Sequence, residues 1–187
     1  MPRTDDILQL PPDLLTPVDD GMASHLPGMP VAKASLPSTW GRQVDLSALD
    51  GRTVAYCYPR TGRPDEEPPD GWNLIPGARG CTPQSCAFRD HHGELEALGA
   101  RVFGLSSQAT EYQREAAERL HLPFPLLSDE QLAFASAMRL PLFDVGTMRL
   151  LKRLTLIIRD GVVEHVFYPV FPPDRNAEQV LEWLRTK

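Results

Sequence analysis

A chain of 187 residues with 42% hydrophobic content is long enough for one domain with an extension and a substantial apolar core. Its formal net charge of −6 argues against a nucleic-acid partner, which would need a clustered cationic surface. Nowhere do about 18 apolar residues run together, and the first residues hold no uninterrupted apolar run of leader-peptide length, so a cytoplasmic protein without membrane association is expected.

In chain order, residues 1 to about 46 are rich in Pro, Asp and Ser with short apolar pieces at Leu14, Val31 and Leu36, and read as a wrapping segment with little regular structure. Thr53 to Tyr58 is β-branched and aromatic with no charge, which suits a strand buried on both faces in the centre of a sheet. Residues 60–80 carry four Pro and four Gly and read as a long loop. Helix formers resume from Cys81 to Leu98 with Gly99 as a stop. A strand at Arg101–Ser106 and a helix at Ala109–Leu120 follow, the latter ended by Pro123 and Pro125.

Ser128 and Gln131 have capping-box spacing for a helix reaching about Leu140. Leu154–Ile158 and Val162–Tyr168, joined across Asp160-Gly161, predict a β-hairpin, and Asn176–Leu184 a closing helix. Helices alternating with strands, with a hairpin near the end, give an α/β class: a mixed central sheet flanked by helices, compatible with a thioredoxin-like fold.

The informative residues are the cysteines. A reducing compartment keeps thiols free, so three cysteines do not make a structural disulfide framework. Cys57 sits in the middle of the apolar strand and reads as a small core residue. Cys81 stands at a helix start, where unpaired N–H groups and the positive end of the dipole favour thiolate over thiol. Cys86 follows five residues later, and in an intact helix the two Cα atoms would be about 8–9 Å apart. A disulfide reaches only about 7 Å, so bonding the two requires the helix to unwind locally. Spacing alone leaves unrelated thiols and metal ligands open. His91 and His92 lie nearby, but adjacent histidines face different sides of a helix and there is no second Cys pair, which argues against zinc.

Gly80-Cys81-Thr82 followed by Cys86, Phe88-Arg89-Asp90 and the strand Arg101-Val-Phe-Gly-Leu-Ser106 resembles the peroxiredoxins of the bacterioferritin-comigratory, or Q-type, subfamily. Val44-Asp-Leu-Ser47 with Gly51 to Pro59 resembles the family's lead-in strand, and Arg153 to Ile158 its arginine-bearing strand. The likeness covers about residues 28–187, leaving 1–27 as an N-terminal extension and 60–80 as an insertion loop. It implies a thioredoxin fold, reduction of hydrogen peroxide and organic hydroperoxides, a thioredoxin-like or glutaredoxin-like reductant, and no metal, haem or flavin.

It also implies that Cys81 attacks the peroxide and becomes a sulfenic acid, that Cys86 captures it as a disulfide, and that Arg153 completes the pocket. Without the resemblance, Arg153 and the nearby Arg149 and Lys152 read as a solvated basic face. The family's threonine three residues before the reactive cysteine is Ala78 here, which leaves Pro59 and Thr61 as substrate-pocket candidates. A monomer, or at most a weak homodimer, is expected. The competing readings are a thiol–disulfide oxidoreductase, whose usual C-x-x-C is missing, and a non-catalytic thioredoxin-fold module binding through its Pro-rich loop.

Overall fold

The structure, a computed structural model, describes residues 7–187, so the first six residues of the expected extension lie outside the described residues. Two short paired strands, β1 (Leu36–Pro37) and β2 (Gln43–Val44), lead into β3 (Arg52–Cys57). The loop that follows holds one 3-10 turn at Trp72–Leu74 and delivers the chain to α1 (Cys81–Asp90) and α2 (His92–Ala97). Then come β4 (Ala100–Ser106), α3 (Thr110–Arg119), β5 (Leu126–Ser128) and α4 (Ala133–Met138). A hairpin of β6 (Leu142–Val145) and β7 (Met148–Leu151) precedes β8 (Leu154–Arg159), β9 (Val162–Phe167) and α5 (Asn176–Arg185).

The main sheet has the order β5-β4-β3-β8-β9, with β3 parallel to β4 and antiparallel to β8. The uncharged run of β3 is central because it has no face to offer water: Val54, Ala55, Tyr56 and Cys57 are all fully buried. Its alternate side chains serve two cores. Val54 and Tyr56 pack with α1 and α5 through Phe88, Ala177, Val180 and Leu181. Ala55 and Cys57 face the opposite layer, made by α4 and by Ala23, Leu26, Val31 and Leu36 of the N-terminal segment. The insertion loop has its own anchor, Trp72, buried with Ala78 against Val145 and Leu150 of the β6–β7 hairpin.

The sheet and the terminal hairpin follow the sequence pattern. Asp160 and Gly161 both take positive φ, as a two-residue hairpin turn requires, and a Cβ on Gly161 would stand 2.5 Å from the Ser47 carbonyl oxygen. Three expectations are corrected. The helix begun at Cys81 breaks at His91, within Asp90-His91-His92-Gly93, a run of weak helix formers, so one expected helix becomes α1 and α2. Ser128 does not cap α4: it ends β5, paired with Ser106, and its hydroxyl donates to the Gln108 carbonyl at 2.7 Å. The N-cap position is Leu132, and the free N–H groups of the first turn are met from outside it by Asp129, whose two carboxylate oxygens accept from Phe134 (3.1 Å) and Ala135 (2.8 Å). The β6–β7 hairpin, finally, was not expected from sequence.

Since Asp129 is buried and satisfies two donors of α4, Asp129→Ala is expected to lower unfolding free energy by about 1–2 kcal/mol, while Gln131→Ala at the exposed capping-box position changes it by less than about 0.5 kcal/mol. Urea denaturation of the two variants distinguishes the caps.

Candidate active site

Cys81 is the first residue of α1, and the turn before it depends on Gly80, which has φ of 96°. A side chain there would be strained, and its Cβ would lie 2.5 Å from Pro173 Cγ and 2.9 Å from Leu10 Cδ2. α1 is fixed to the sheet by Phe88, stacked on Tyr56 with ring centroids 4.5 Å apart, and by the Tyr56 hydroxyl, which donates to Ser85 Oγ at 3.0 Å. The helix start is therefore held where the sheet and the loop before α1 meet.

Arg153, between β7 and β8, is 4% exposed and reaches this point from the other side. Its Nη2 donates to Cys81 Sγ at 3.1 Å. The two hydrogens of this nitrogen are shared between that sulfur and the carbonyl oxygens of Gly77 (3.2 Å), Ala78 (3.2 Å) and Arg79 (3.0 Å), all within hydrogen-bond distance. Nη1 donates to Gln84 Oε1 in a short hydrogen bond. Gln84 is itself oriented: its Nε2 donates to Asn176 Oδ1 at 3.0 Å, and that oxygen also accepts from Thr155 Oγ1 at 2.7 Å. Among the described residues no carboxylate pairs with Arg153. The one ionisable side chain among the described residues that its donors reach is Cys81. As a thiol, that sulfur points its hydrogen at the Ala78 carbonyl, 3.6 Å away.

The expected basic face divides. Arg149 pairs with Asp144 and Lys152 with Asp20 at the surface, while Arg153 is buried, which corrects the reading of all three as solvated. Cys86 lies in the same continuous helix as Cys81, half-buried, and both are free thiols. Burial pushes the Cys86 thiol up, with the nearby Arg89 opposing part of the effect. Burial likewise raises Cys57, in keeping with an inert core position.

Thr61 is buried, and its hydroxyl donates to Gln108 Oε1 at 3.2 Å. Pro59 is buried at the end of the central strand. Neither lines the cavity beside Cys81, to which the segment contributes Arg60 and Gly62. At Ala78 the backbone carbonyl, not a side-chain hydroxyl, meets the sulfur. The cavity has a volume of about 50 Å³, bounded also by Trp72, Ala78 to Pro83 and residues of the N-terminal segment. Sequence reasoning missed Gln84 and Asn176. Gln84, one helical turn after Cys81 and so on the same face of α1, carried a usable signal; Asn176, 92 residues further on, carried none.

Residues 26–181 match the family described as Redoxin. The chain is 34% identical to the chloroplastic peroxiredoxin Q of Sedum lineare over 148 residues, 78% of this chain and 70% of that protein. It is 33% identical to peroxiredoxin Bcp of Escherichia coli K12 over 158 residues, 82% of this chain and 91% of that one. It spans 60% of the rice peroxiredoxin Q. The crystal structure of peroxidoxin BcpB from Mycobacterium tuberculosis superposes with a TM-score of 0.69 at 29% identity, covering 87% of this chain and 98% of that one. Xylella fastidiosa PrxQ, at 19% identity and a TM-score of 0.70, shares the fold.

If the guanidinium sustains a thiolate at residue 81, Arg153→Met is expected to reduce the ultraviolet thiolate absorption of the native protein at neutral pH to that of Cys81→Ser. Arg153→Lys restores only part of it, because a point charge cannot reproduce the planar fork that also binds the loop carbonyls. An Arg153→Met spectrum equal to wild type would show that the guanidinium leaves the sulfur's charge state untouched.

Proposed function

The chain belongs to the redoxin family, among its peroxiredoxins of the Q and Bcp type, and from that premise we propose that Cys81 is the residue that reacts with peroxide, Cys86 the residue that resolves it, and Arg153 the group that stabilises charge between them. Peroxiredoxin membership makes the protein a thiol peroxidase and leaves no support for the oxidoreductase and binding-module alternatives. The observation that carries the residue assignment is the 3.1 Å contact between Arg153 Nη2 and Cys81 Sγ at the opening of a helix.

The first step is a displacement on oxygen. The Cys81 thiolate attacks the terminal oxygen of the hydroperoxide, an S–O bond forms as the O–O bond breaks, and the sulfur is oxidised by two electrons. The other oxygen leaves as water or an alcohol after taking a proton. Arg153 donors beside the sulfur can also bond the departing oxygen as its charge grows, while their contacts to the carbonyls of 77–79 keep the guanidinium from swinging away. The second step forms an S–S bond from Cys86 to the Cys81 sulfenic sulfur, breaks the S–O bond and releases water. Both cysteines lie in one unbroken helix, so the turn between them must melt first.

A dithiol reductant of the thioredoxin or glutaredoxin class then returns the protein to its starting state. Of the other readings, a cytoplasmic location fits a cycle that draws on a dithiol reductant, and a monomer is the simplest assembly. No helix among the described residues is long and apolar enough to cross a membrane.

Consumption of hydrogen peroxide tests the assignment. Cys81→Ser is expected to abolish turnover, and Arg153→Met to slow it by about 10²- to 10³-fold. Cys86→Ser should reduce one equivalent of peroxide at the wild-type rate yet form no intramolecular disulfide. An intramolecular disulfide to Cys81 detected by mass spectrometry in that variant would sink the resolving role. Because burial raises the Cys86 thiol above the ordinary cysteine range, its thiolate is scarce at neutral pH, and disulfide formation is expected to keep accelerating as pH rises through neutrality without levelling off. Stopped-flow measurement of the two phases checks the direction, and a resolving phase that slows as pH rises would contradict it.

A further inference from the structure

The cavity at Cys81 has a wall that the family match does not include. Ile7, Gln9 and Pro11 line it, and they precede residue 26, where the likeness to the redoxin family begins. This segment has no helix or strand to hold it, so its position depends on individual contacts. Those contacts fall on the immediate neighbours of the reactive residues. Leu10 lies over Gly80, next to Cys81. Asp13 pairs with Arg79 at 3.0 Å. Pro17 covers Gly77, whose carbonyl Arg153 binds. Asp20 accepts from Lys152 Nζ at 2.6 Å and from the Tyr168 hydroxyl at 2.7 Å, and Lys152 precedes Arg153. The Lys152 ammonium, with help from Tyr168, holds the Asp20 carboxyl down to about 2, so this tether stays charged throughout the neutral range. The segment is thus registered against the site at four successive points.

The space it encloses is small. A cavity of about 50 Å³ takes about three to five water-sized groups, enough for hydrogen peroxide, whereas a branched or aromatic substituent has to extend past the residues that line it. Cys81 is only 4% exposed, so a substrate must enter this space to meet the sulfur. We infer that residues 7–13 are a specificity wall, which admits hydrogen peroxide to Cys81 and holds back bulky alkyl hydroperoxides. The inference rests on Cys81 being the reacting residue. It assigns the preference to a side of the cavity built from outside the family domain.

Loosening the anchors without touching the lining residues tests it. Second-order rate constants for oxidation of the reduced protein are measured with hydrogen peroxide and with cumene hydroperoxide. The wild type is expected to favour hydrogen peroxide by at least about tenfold, and Leu10→Ala combined with Asp13→Ala to raise the cumene hydroperoxide rate by about tenfold with a much smaller change for hydrogen peroxide. Asp13→Ala alone is a second variant that keeps the fold, since the Asp13 side chain is 74% exposed; it should shift the ratio of the two rates in the same direction by about threefold. A wild type that reduces both peroxides equally fast, or a ratio unmoved in both variants, overturns the wall. Those results leave hydrogen peroxide turnover intact, whereas a wild type that consumes neither peroxide removes the reading of Cys81 itself.

Discussion

A buried guanidinium with no carboxylate beside it among the described residues is the constraint around which the site is arranged. Arg153 is held by neutral acceptors only: three consecutive loop carbonyls, the Gln84 amide oxygen and the Cys81 sulfur. Burying a cation this way is unfavourable unless its donors are satisfied and an anion is close. The loop carbonyls, Gln84 and Cys81 engage both terminal nitrogens, Nε is left without a partner, and Cys81 is the one ionisable side chain to which the guanidinium is hydrogen-bonded. The same nitrogen that meets the loop before α1 therefore also touches the sulfur proposed to react.

Fixing that arrangement draws on distant parts of the chain. The central strand places Tyr56 under α1, α5 places Asn176 against Gln84, and β8 supplies Thr155 to the same oxygen. Rigidity in these supports contrasts with what the proposed resolving step would require. Cys81 and Cys86 share one helix, so the reduced form has to surrender its first turns before the sulfurs can bond. The packing opposes that step: Cys81 to Ser85 are all buried, with Gln84 and Ser85 hydrogen-bonded to other elements, while Cys86 is only half-buried.

How much of this was legible in the sequence follows from the range of the interactions. The uncharged β3 run, the Asp160-Gly161 hairpin and the helix start at Cys81 are local patterns, and the structure has them where the residues indicated. The side chain that meets the first turn of α4 was misread because Ser128 and Asp129 both suit that role, and only the pairing of β5 with β4 decides which is free. The burial of Arg153 could not be read from composition, since a flanking arginine is ordinarily solvated and its acceptors lie about seventy residues earlier. Ala78 was read as a loss because only its side chain is written in the sequence, whereas the interaction uses its carbonyl. The N-terminal contacts were similarly hidden, each being a single side chain meeting a residue far along the chain.

Because the oxygens around Arg153 belong to the main chain at 77–79, the identities of those three residues have little bearing on how the sulfur is held, apart from the backbone freedom Gly77 needs at its φ of 80°. Length is what matters there. Lineages sharing this loop would reject an insertion or deletion of one residue between the Trp72 anchor and the helix, since that slips every carbonyl past its donor.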